Sequence, residues 1–252
     1  MDILDSSGIG IGAFVAGAIN AVAGGGSLVS FPTLIAVGYE AKVANVTNTV
    51  ALWPGYLGGS IGYRHELDQQ RRRILEMLPA CVVGAIAGSA ILLATSAEAF
   101  EAIVPYLILF ACAILALQDR IASFVLRHHP GDGSPRFRIV LQLAIFALAV
   151  YGAYFGAGLG ILTLAVLGIL LPDDLQRSNA LKGMLSLLIN AIAVVYFALW
   201  GPVRWAPALL MAVAALAGGY LGVGVARKLG SRWLRVAVIV YSVLVASVLL
   251  VR

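Results

Sequence analysis

Apolar runs follow one another along almost the whole chain, separated by short polar loops. A helix rises about 1.5 Å per residue, so about 20 apolar residues span the hydrocarbon core of a bilayer. Full-length runs occupy residues 43–62, 75–95, 99–118, 137–156, 180–200, 205–226 and 232–251, and a somewhat short run covers 8–23. Two further runs, 27–38 and 160–171, have only 12 residues each, a length that suits half-helices or re-entrant segments. Each directly follows a glycine cluster, Gly24, Gly25 and Gly26 in one case and Gly158 with Gly160 in the other. A glycine inside a helix costs about 1 kcal/mol relative to alanine. A chain that only had to cross a membrane has no use for either cluster. The pattern predicts an all-α polytopic membrane protein with glycine-broken short half-helices.

The two halves of the chain answer each other. "GGGSL" at 24–28 matches "GLGIL" at 158–162, "ANVTN" at 44–48 matches "SNALK" at 178–182, and "GAIAG" at 84–88 matches "GGYLG" at 218–222. All three pairs share one ungapped offset, 158 − 24 = 134 residues. A basic, turn-rich linker at 127–138 lies between the halves, so residues 1–126 form a first repeat and 139–252 a second. Each repeat holds about five segments, and an odd number turns the second repeat upside down in the bilayer. Charge supports that topology, because basic loops stay on the cytoplasmic side. With the N-terminus outside, the basic loops 63–73, 127–138 and 226–235 all fall inside, and the acidic loop 95–101 falls outside. Arg204 and the pair Asp173–Asp174 are minor misfits. The expected location is the cell (inner) membrane.

Composition removes the soluble alternatives. Hydrophobic residues make up 61% of the chain and charged residues 12%, against about 25% charged in soluble domains; the mean hydropathy is +0.97. The net charge of +5 sits in short loops, where it signals topology and not nucleic-acid binding. The acidic start "MDILDSSG" is unlike a cleavable signal peptide. Cys81 and Cys112 fall in apolar runs, as small buried hydrophobes do. No metal site and no cofactor are expected. No Asp or Glu lies deep in an apolar span, and His65, His128 and His129 sit in loops. Neither a carboxylate relay nor an enzyme's convergent acid, base and nucleophile is visible, and no GxxxxGK[ST] sequence occurs. The chain does not read as an enzyme.

Irregular backbone at membrane depth survives only where protein buries it or a wet cavity hydrates it. In inverted-repeat transporters such breaks mark the substrate site, with half-helix N-termini aiming N–H groups at an anion. Ser27 is placed to cap the helix that follows the first break, whereas Ile161 stands at the matching position of the second. Close packing of small residues is the structural alternative for these glycines. Polar residues open the next spans: Asn45, Thr47 and Asn48 in one half, Asn179 and Lys182 in the other. Helical spacing puts Asn45 with Asn48, and Asn179 with Lys182, on one face. Lys182 matches Asn48, so one half carries a cation where the other carries an amide. It fits either an interfacial anchor or an attractor of anions. Asn190 and Ser186 continue its face as a polar path.

The stretch from Gly12 to Arg64, with its "GGGS", the "P-x-L" at 32–34, a single glycine before a short loop and the "AN-x-T" at 44–47, resembles the first repeat of the sulfite exporter TauE/SafE family. The second half resembles that family's second repeat. The resemblance implies a permease for small, chiefly sulfur-containing anions such as sulfite, sulfoacetate and other organosulfonates. Carried over by position, it implies substrate contacts at Gly24 to Ser27, Asn45, Thr47 and Asn48, and at Gly158, Gly160, Asn179 and Lys182. The expected mechanism is alternating access, with an anion channel and a non-transporting scaffold as the rival readings. The expected partners are the anion and the lipid bilayer, with a homo-oligomer left open and no nucleic acid.

Overall fold

The computed structural model describes residues 3–22, 25–62, 64–125, 135–171, 175–229 and 231–251. All described elements are α-helices: α1 (Ile3–Val22), α2 (Ser27–Ala36), α3 (Ala41–Gly62), α4 (Arg64–Asp68), α5 (Arg71–Ala94), α6 (Ala97–Val125), α7 (Pro135–Tyr154), α8 (Leu159–Leu170), α9 (Leu175–Trp200), α10 (Trp205–Leu229) and α11 (Ser231–Val251). The ten apolar runs each become one helix. The short helix α4 arises inside the basic loop 63–73, where the pattern gave none. The linker 127–138 lies largely outside the described residues.

Helix ends run further into polar sequence than the apolar runs do. α5 starts on Arg71, and Arg72 pairs with Glu76 one turn on at 3.0 Å. α6 begins where the Ala99 N–H donates to Ser96 Oγ at 3.2 Å, the bond an N-cap serine makes. α2 stops at Gly38, whose φ of +97° closes a Schellman turn: Gly38 N–H reaches Ile35 O and Tyr39 N–H reaches Leu34 O.

Among the described residues, three helices, Arg71–Ala94, Ala97–Ile121 and Arg177–Trp200, are long and apolar enough to cross a membrane, and α2 and α8 are among the shorter apolar ones. The outward surface is itself apolar: Val213 is 69% exposed, and Ile11, Leu75, Val83, Leu143, Val195 and Leu244 are exposed too. Soluble monomers rarely expose apolar surface on this scale, whereas lipid tails cover it. The chain is a multi-pass membrane protein.

The helices pack in a similar pattern in the two halves of the chain. α1 lies along α10 and α7 along α5; α3 packs on α9 and α6 on α11; α2 touches α11 and α8 touches α6. Each second-half helix begins within about four residues of the 134-residue offset from its first-half counterpart. Tight glycine contacts hold the two long pairs: Gly17 faces the Ala215 carbonyl and Gly218 the Phe14 carbonyl, and Gly84 and Gly88 face the Phe146 and Val150 carbonyls.

Hydrogen bonds tie the ends together. Lys42 Nζ donates to the carbonyls of Leu93 at 2.8 Å and Thr95 at 2.7 Å, so the start of α3 sits at the end of α5. Gln70 Nε2 donates to Arg177 O at 3.1 Å and Arg177 Nη2 to Gln69 Oε1 at 2.8 Å, so the start of α9 sits at the beginning of α5.

Candidate functional site

The two glycine breaks converge on one turn of α6. Gly25 lies against Leu115, and Gly158 against Ala111 and Ile114. Phe31 of α2 meets Phe155 of the second break edge-on, with ring centroids 5.5 Å apart. Gly25 has φ +87°, and Gly156 and Gly158 both have φ +77°, a conformation that L side chains rarely adopt. Gly24 lies outside the described residues.

Around the first break, side chains satisfy the backbone. Gly26 N–H donates to Asn20 Oδ1 at 3.3 Å. Ser27 is not the cap expected of it: Gly26 takes that position, Ser27 is the first helical residue, and no side chain caps α2. The left-handed turn at Gly25 moves the helix start one residue earlier than the serine needs. Pro32, inside α2, has no N–H for the carbonyl four residues back. That carbonyl, Leu28 O, accepts instead from Ser242 Oγ of α11 at 2.9 Å. Ser30 Oγ donates to Asn48 Oδ1 at 2.6 Å, joining α2 to α3.

The other polar residues of α3 divide. Asn45 Nδ2 donates to Tyr154 O at 2.9 Å, the last carbonyl of α7 and an orphan of its helix. A first-half amide thus braces the second-half break. Thr47, two residues on and therefore on another face, accepts the Arg204 N–H of the α9–α10 loop at 3.1 Å. The structure does not bring Thr47 to the breaks. Asn45→Ala should take the donor from a partly buried Tyr154 carbonyl, a loss of about 1–3 kcal/mol. Thermal melting in nanodiscs measures it, and an unchanged midpoint would mean that the carbonyl finds another donor.

At the second break, Gly158 stands at the N-cap of α8, and its carbonyl accepts from the N–H groups of Ile161 and Leu162. The stem of Lys182 passes Gly160, its Cδ 3.8 Å from where a Cβ would be. Its ammonium donates to Asn179 Oδ1 at 3.0 Å, and among the described residues it has no carboxylate partner. Asn190, buried two turns deeper, donates from Nδ2 to Ser186 O at 2.8 Å. The structure therefore gathers Gly25, Gly26, Asn45, Asn48, Gly158, Gly160, Asn179 and Lys182 around the breaks. Asn20, Ser30, Phe155 and Ser242 join them without having been singled out in the sequence. The "P" of the "P-x-L" was the one available signal for Ser242, because a proline inside a short helix requires an outside donor.

A cavity of about 280 Å³ opens elsewhere, at the far end of α2, lined by Glu40 and Glu101 with Ile35, Gly38 and Tyr39. None of the break residues line it, and its two carboxylates disfavour an anion.

Similarity to known proteins agrees with this architecture. The model of the family described as sulfite exporter TauE/SafE matches residues 9–249. A probable membrane transporter protein of Haemophilus influenzae is 24% identical over 240 residues, covering 93% of this chain and 90% of that protein. The probable membrane transporter protein ORF9 of a Sinorhizobium species is 26% identical over 250 residues, covering 95% and 90%. The probable membrane transporter protein YfcA of Escherichia coli is 23% identical over 247 residues, covering 94% and 87%. No solved structure is significantly similar. With a match that runs through both glycine breaks and all the long helices, the chain belongs to the sulfite exporter TauE/SafE family of membrane transporters.

Proposed function

We propose that this protein carries a small anion, sulfite or an organosulfonate, across the inner membrane by alternating access. The observation that carries the reading is the meeting of two left-handed glycine breaks on one turn of α6, each opening a half-length helix. Helix N-termini attract anions through their dipoles and unpaired N–H groups. Lys182, without a described counter-ion, adds a formal positive charge beside one of them. The family's description, sulfite exporter, and the relatives' names support transport of this kind.

The directions of the helices support alternation. α3 starts beside the end of α5, and α9 starts beside its beginning, so the two matching helices run in opposite directions. Rocking one repeat against the other around a fixed midplane site would then expose it to each side in turn. The N-terminus lies outside in this arrangement, and each repeat, 1–126 and 139–252, acts as one unit.

Proteoliposomes test the reading directly. Saturable flux with counterflow is expected for sulfite or an organosulfonate, with sulfate and acetate as comparison anions. Flux that never saturates would favour a channel, and no flux for any of them from folded protein would favour a scaffold. Lys182→Ala should raise the half-saturation concentration about tenfold or more, since a charge-assisted hydrogen bond contributes roughly 1.5–3 kcal/mol. A fall in maximal rate at unchanged half-saturation would remove the electrostatic role.

A further inference from the structure

At both breaks the backbone polar groups are engaged, but only beside the second do an ammonium and two buried hydroxyls stand without a matching partner among the described residues. Gly26 N–H is held by Asn20, the Leu28 carbonyl by Ser242, and the Asn48 carbonyl oxygen by Ser30. The second break holds an ammonium whose described partner is the neutral Asn179. Ser186 follows one turn after Lys182 on the same face of α9. It is 2% exposed, and its hydroxyl has no hydrogen-bond partner among the described residues. Thr163, one turn beyond Gly160 on α8, is likewise fully buried with an unpartnered hydroxyl. Buried hydroxyls are nearly always paired. Ser89 on α5 is another that is not, but only Ser186 and Thr163 follow Lys182 and Gly160 on their helices, where no carboxylate among the described residues pairs with the ammonium.

Resting on the anion-transport reading above, we infer that the anion binds at the second break alone. It sits between the Lys182 ammonium, the Ser186 hydroxyl and the Gly160 N–H in the first turn of α8, whose neighbours Leu159 and Ile161 give their N–H groups to backbone carbonyls, and carries one negative charge. The charge follows from what surrounds the site. Lys42 is held by the carbonyls of Leu93 and Thr95, Arg177 is held by Gln69, and Glu40 lines the separate acidic cavity. Among the described residues, Lys182 is thus the formal charge placed at a break. A monoanion leaves the buried pair neutral, whereas a dianion leaves a net charge away from water. Singly charged sulfonates and protonated sulfite fit this site, and sulfoacetate, with two charges, does not.

Asymmetry also follows from the sequence difference at the 134-residue offset. Asn48 stands where Lys182 does, and its oxygen closes on Ser30, so the first break keeps its shape without ligand. The first break acts as a brace and the second as the receptor.

The test uses the full chain in proteoliposomes with methanesulfonate as a fixed monoanion, and sulfate and sulfoacetate as dianions. Methanesulfonate should saturate at a concentration at least tenfold below either dianion. Ser186→Ala should raise its half-saturation about tenfold while leaving the ligand-free melting temperature equal or higher, because an unpartnered buried hydroxyl is removed. Ser30→Ala, which unties Asn48, should lower maximal flux while moving half-saturation by less than about twofold. Equal half-saturation shifts for Ser186→Ala and Ser30→Ala would show an anion bridging both breaks and overturn the asymmetry. Transport of sulfoacetate or sulfate in preference to methanesulfonate would overturn the single charge and leave the transport reading standing. No flux of any anion from folded protein would overturn both.

Discussion

Gly158→Val is expected to abolish anion flux while the protein still inserts and runs as a single species on size exclusion. Gly158 is the N-cap of α8 with φ +77° and ψ 1°. A left-handed residue costs an L side chain roughly 1–2 kcal/mol, and a β-branched one is a true outlier there. Space is not the obstacle, because a Cβ would lie 3.8 Å from Ala111 and Ile114, an ordinary contact. The backbone is the obstacle. Valine relieves its strain by turning φ negative, and that rotation carries the N–H groups of Leu159 and Gly160 away from their present direction. Gly158→Ala should keep part of the flux, since a methyl fits and the strain stays near the lower figure. Gly25→Val, at φ +87°, should behave like Gly158→Val if both breaks must hold their shape. Flux per inserted molecule is the readout. Full activity in Gly158→Val would take the second break out of the mechanism.

The helices were legible because lipid demands apolar runs, and each of the ten runs, the two 12-residue ones included, became a helix. Their ends were less so. Arg71 to Arg73 and Leu175 to Ser178 belong to helices although they look like loop, since long side chains reach the interface from a buried stem and the backbone gains by closing its bonds. The glycine breaks stood out for the same reason the helices did, as departures from a strong pattern. Same-face spacing also anticipated Lys182, Ser186 and Asn190 on one side of α9. What local pattern does not carry is partnership across the fold. Nothing near Asn45 names Tyr154 as its acceptor, 109 residues away, and nothing near Ser30 names Asn48. Local sequence alone points to Ser27 as a cap, but the turn at Gly25 makes Gly26 the N-cap and Ser27 the first helical residue. Thr47 shared a motif with Asn45 but not a face, so it went to Arg204.

Gly218→Val is expected to leave little or no folded protein, the largest stability effect predicted for the chain. Gly218 of α10 faces the backbone of α1, and any Cβ there would fall on the Phe14 carbonyl oxygen. Gly17 of α1 repeats the arrangement against the Ala215 carbonyl, one turn along the same seam. Lipid tails are as apolar as leucine, so helices in a bilayer gain little from hydrophobic burial and associate through close packing. A side chain that cannot rotate away must therefore push α1 and α10 apart along the whole seam. Even one methylene forced into a packed interior costs about 1–3 kcal/mol. Gly218→Ala should accordingly lower the melting midpoint measurably, and valine should exceed what the fold tolerates. Gly10→Ala supplies the control on α1, because a Cβ there meets nothing within 4 Å. It should melt at or above the parent temperature, as an alanine in a helix does relative to glycine. Gly84→Val, whose Cβ would lie 2.6 Å from the Phe146 carbonyl oxygen in the matching α5–α7 pair, should fail in the same way. If Gly218→Val folds and melts like the parent while Gly84→Val does not, the two seams are not equivalent, and the α1–α10 pair is free to separate during transport.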